Sequence, residues 1–193
     1  LKSFANSLYR ELDNAGFIYD KNASQVFASP RRLAARVVGL SATQPDRAVE
    51  KLGPFVAQAF SSDGKPSPAA TGFAKRNGVD IEQLERMPSD KGERLIFRAM
   101  EQGRSAVELL PAMVEKALQE LPIPKRMRWG SSRVEFVRPV HWLVMLYGSD
   151  VIDCEILGQR ADRITRCHRF HAAVELGIAA PADYGDLLRN HYV

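Results

Sequence analysis

The chain has 193 residues, 45% of them hydrophobic and 26% charged, which is enough globular-type sequence to bury a core as one larger domain or two small ones. No apolar run approaches the roughly 20 residues that cross a bilayer, no signal-peptide pattern opens the sequence, and two cysteines, Cys154 and Cys167, are too few for a disulfide framework. A cytoplasmic, reducing setting without a membrane partner is expected, and a net charge of +4 permits a nucleic-acid partner without demanding one.

Residues 1–15 carry Leu1, Phe4, Ala5, Leu8 and Leu12 at helical spacing, and Gly16 suits a left-handed C-cap. Residues 24–29 and 33–40 read as strands that form a hairpin or bent pair around Ser29-Pro30. Residues 43–66 read as looser chain, with a short apolar helix over 55–60 and a loop over 61–66. Ser67-Pro68 predicts an N-cap followed by proline at the first helical position, with the helix ending at Asn77-Gly78. A helical turn follows over 80–85, then a strand over 93–100. Ser105 and Glu108 match a capping box, and the helix behind them contains Pro111, which predicts a kink or a 3₁₀ first turn. Residues 140–147 and 151–157 read as strands around Gly148-Ser149-Asp150, residues 163–170 as a further strand, and 182–190 as a last helix. Helices and strands mixed without a βαβ rhythm predict an α+β fold with a mixed or antiparallel sheet and packed helices, with sub-lobes at 1–120 and 121–193.

Residues 122–142 stand apart. They hold Lys125, Arg126, Arg128, Arg133 and Arg138 against one acid, Glu135, together with both tryptophans of the chain, Trp129 and Trp142. Two chemistries fit. The segment is a cationic surface for phosphates with an indole available for stacking, or it is a crossover whose tryptophans fill the core and whose cations are solvated. Arg31-Arg32, at a strand corner, could together reach one phosphate or carboxylate, or simply form a solvated corner.

Catalytic signatures are missing. There is no Gly-x-Gly-x-x-Gly loop, no Walker-type loop and no Gly-x-Ser-x-Gly elbow. Cys167-His168-x-x-His171 falls short of four ligands with paired spacings, so no metal site is assigned. His141 beside Trp142 has no nucleophile or paired acid near it in sequence.

Taken together, Ser-Pro-Arg-Arg-Leu-Ala (29–34), Gly-Pro (53–54), Gly-Lys-Pro-Ser (64–67) with Gly-Phe-Ala (72–74), Lys-Gly-Glu (91–93), Leu-Pro-Ile-Pro-Lys-x-Met-Arg-Trp-Gly (121–130), Phe-x-Arg-Pro-Val-His (136–141) and Arg-x-His-Arg-Phe (166–170) resemble, in order, the N-terminal region of the β chain of bacterial heterotetrameric glycyl-tRNA synthetase. The resemblance implies an α2β2 enzyme that charges tRNA(Gly) with glycine using ATP and Mg at a class II site on the α chain. This part would hold no cofactor and no catalytic site. Its partners would be the α chain, a second β chain and tRNA(Gly), and an HD-like and an anticodon-binding domain would lie beyond Val193. The fold would resemble the B3/B4 module of the phenylalanine enzyme's large chain.

Two departures are visible. The family carries a Glu-Ile-Gly-Thr-Glu-Glu-type segment that would precede Leu1; if it forms a strand, the sheet here has an open edge. Cys167 stands where the family has glycine, which predicts ordinary strand geometry there. The candidate tRNA-binding residues are Arg31, Arg32, Lys125, Arg126, Arg128, Trp129, Arg138, Arg166 and Arg169. The rival reading is an assembly surface that packs on the α chain or on the rest of β. An editing-type hydrolytic site, a third reading, has no residues named for it.

Overall fold

The computed structural model describes residues 1–61, 63–89, 92–131, 133–167 and 175–191. Helix α1 (Lys2–Asn14) buries Phe4, Leu8 and Leu12 along one stripe, and the amide of Phe17 donates to the carbonyl of Leu12, closing the helix at Gly16. Strands β1 (Asp20–Ser29) and β2 (Arg32–Val38) form an antiparallel hairpin across Pro30-Arg31, in register Ser29 to Arg32.

Residues 45–103 form a compact unit of their own. It is built from β3 (Arg47–Phe55), the four-residue α2 (Val56–Ala59), α3 (Pro68–Asn77), a 3₁₀ turn (Ile81–Gln83), β4 (Glu85–Met87) and β5 (Arg94–Glu101). The sheet is antiparallel in the order β3-β5-β4. Ser67 caps α3 by accepting from the amide of Ala70, and Gly78 ends it with φ +67°. Phe73, Leu84 and Leu95 form the core. Gly53 is required here, because a Cβ at that position would lie 2.7 Å from the Phe73 ring.

The other unit joins residues 1–44 to 104–193. Helix α4 (Ala106–Gln119) therefore belongs with the residues that follow it, and the boundary does not fall at the 120/121 division expected from the sequence. The contacts explain why: α1 and α4 share a core through Leu8, Leu12, Met113 and Ala117, and Lys116 Nζ reaches Glu11 Oε2 at 2.7 Å. Ser105 Oγ accepts from the Glu108 amide at 3.2 Å, one half of the expected capping box, while the Glu108 carboxylate pairs with Arg104 instead of turning back to the Ser105 amide. The helix stays α-helical through Pro111 with no 3₁₀ first turn. Short ladders follow: β6 (Met127–Arg128) with β7 (Glu135–Phe136), and β8 (Leu143–Val144) parallel to β12 (Gln159–Asp162). Strand β9 (Leu146–Tyr147) pairs with β10 (Asp150–Val151), β11 (Glu155–Ile156) with β12, and β13 (Ile164–Arg166) with β14 (Glu175–Gly177). A 3₁₀ turn (Pro181–Asp183) leads into α5 (Tyr184–Asn190). Met145, Ile152, Ile156 and Ala161 make a second core cluster in this unit. The fold is α+β with mainly antiparallel pairing. Among the described residues no helix is long and apolar enough to cross a membrane.

Candidate nucleic-acid interface

Folding brings distant arginines together on Trp142. The guanidinium carbon of Arg32, at the start of β2, lies 5.7 Å from the indole centroid, and that of Arg166, at the end of β13, lies 5.8 Å from it. Cation–π attraction of this kind contributes about 0.5–1 kcal/mol at exposed sites and more where water is excluded. Arg32 also donates through Nη1 to Thr165 Oγ1 at 3.1 Å and through Nη2 to the Arg166 carbonyl at 2.6 Å. Thr165 is fully buried, and Arg32 Nε is buried with no partner among the described residues. Arg166 Nη2 reaches Glu175 Oε1 at 3.3 Å. Arg32 is therefore fixed by two hydrogen bonds and a ring, and Arg166 by a ring and a carboxylate.

Both arginines line a groove of about 1950 Å³ in the unit formed by residues 1–44 and 104–193, and Arg31, Arg36, Arg138 and His141 line it too. Arg31 and Arg138 are exposed, and no carboxylate pairs with either among the described residues.

The stretch 125–129 lies outside this groove. Arg128 Nε pairs with Glu135 Oε1 at 2.5 Å across the β6–β7 ladder. Arg126 Nη2 donates to the Gln119 carbonyl at 2.7 Å, a cation satisfying the last turn of α4. Lys125 and Arg133 are exposed and have no ion-pair partner among the described residues. Trp129 is half-buried, followed by Gly130 at φ +60°, where the turn between β6 and β7 requires a left-handed residue. Of the candidate residues, the structure gathers Arg31, Arg32, Arg138 and Arg166 around one groove, and does not bring Lys125, Arg126, Arg128 or Trp129 to its wall. Arg169, His168 and His171 lie outside the described residues. Cys167 is half-buried and lies just past the end of β13, outside any strand.

Sequence reasoning did not single out Trp142, Thr165 or Arg36 as site residues. Only the presence of Trp142 in the cationic stretch pointed to it, since Arg32 and Arg166 are far from it in sequence. Among the described groups the Cys154 thiol is pushed up by burial and, to a lesser extent, by Asp153 and Glu115. No group of three metal-ligating side chains converges among the described residues. The arrangement can hold an anion or pack a polypeptide.

Comparison with known proteins decides the family. The family model described as "Glycyl-tRNA synthetase beta subunit" matches residues 1–193. The chain belongs to the glycyl-tRNA synthetase β-subunit family. It is 53% identical to the glycine–tRNA ligase β subunit of Chromohalobacter salexigens over 89% of this chain and 25% of that protein. Against the β subunit of Escherichia coli O8 it is 50% identical over 98% of this chain and 27% of that protein. Against that of Marinobacter nauticus the identity is 47% over 97% and 27% respectively. The chain thus spans about a quarter of the length of these β-subunit relatives.

Proposed function

We propose that this chain is the N-terminal portion of a glycine–tRNA ligase β subunit and that it contributes contacts to tRNA(Gly) phosphates during ATP-dependent glycyl-tRNA formation. The observation that supports the reading is a set of exposed cations with no carboxylate partner among the described residues: Arg31, Lys125, Arg133 and Arg138. An exposed, unpaired cation is free to neutralise a phosphate and release its counterion. Arg128 and Arg166, each held by a carboxylate, serve as braces in this reading. Trp142 is covered by two guanidiniums and is likewise an internal brace. Adenylate chemistry with ATP and Mg belongs to the α chain, and the cytoplasmic α2β2 assembly supplies it.

The test is a Lys125→Glu, Arg133→Glu double variant in the full-length β subunit purified with its α partner. Weakened tRNA(Gly) binding with unchanged co-purification of α supports the phosphate role. Intact tRNA affinity with lost co-purification supports the assembly-surface reading instead.

A further inference from the structure

No further inference is drawn: the strongest candidate, the open face of the β3-β5-β4 sheet where Leu52 and Met100 are exposed beside Arg98 and its partners Glu50 and Glu85, is an apolar surface patch, and nothing in the structure shows what covers it.

Discussion

Replacing Gly53 with alanine tests the packing of the 45–103 unit at its tightest point. The added Cβ would sit 2.7 Å from Phe73 Cε1, 2.8 Å from Cδ1 and 3.0 Å from the Leu95 carbonyl oxygen. Carbon atoms pack favourably at about 3.5–4.0 Å, so the ring would have to retreat by roughly 1 Å. Phe73 is 6% exposed and is enclosed by Ala59, Ala70, Ala74, Leu84 and Leu95, which leaves it nowhere to go. Overpacking of this kind costs about 1–3 kcal/mol. Gly53 has no left-handed φ, so on backbone grounds alone alanine would stabilise by about 0.4–1 kcal/mol. The two effects have opposite signs, which makes the sign of the result diagnostic. In urea, with a slope of about 2 kcal/mol per molar, the unfolding midpoint should fall by roughly 0.5–1 M. Phe73→Leu should cost less in the Gly53→Ala background than alone, because a smaller side chain relieves the clash. An unchanged or raised midpoint for Gly53→Ala would refute the steric account.

Ser105→Ala removes the side chain that caps α4 and should lower stability by about 0.5–2 kcal/mol, with Ser105→Asp restoring most of it. Burial and the Asp13 carboxylate, which accepts from its hydroxyl at 2.8 Å, push the Tyr19 phenol above its ordinary range. The folded state thus favours the protonated phenol. Stability from this group is complete below about pH 10 and is lost as pH rises through the folded value. Alkaline unfolding curves of Tyr19→Phe should therefore be flatter than those of the parent. The raised Cys154 thiol holds little thiolate at pH 8, so it should alkylate with iodoacetamide more slowly than free cysteine does.

Local rules found the elements whose signals are local. Ser67-Pro68 and Gly78 bound α3, Ser105 opens α4, and Gly16 stops α1, because caps depend only on neighbours. Strand β3 escaped notice within the stretch read as loose chain. Its alternation of Arg47, Glu50 and Lys51 with Ala48 and Val49 leaves most of the strand exposed, so no buried face marks it in sequence. The expected strand at 140–147 is divided into β8 and β9, which pair with different partners. The arginines of the candidate site were legible as residue types, and their words were legible as a family. Their sorting was not. Whether an arginine is braced or free depends on pairing across the β6–β7 ladder for Arg128 with Glu135, on the β13–β14 ladder for Arg166 with Glu175, and on Trp142 meeting Arg32 and Arg166 from distant parts of the chain.

The most direct measurement is the salt dependence of tRNA(Gly) binding by the assembled enzyme, wild type against Lys125→Glu, Arg133→Glu. Each lost phosphate contact lowers the log–log slope by about 0.7–0.9, so two lost contacts should flatten it by roughly 1.4–1.8. Parallel lines, with or without a vertical offset, would contradict the claim that these unpaired cations meet the tRNA backbone.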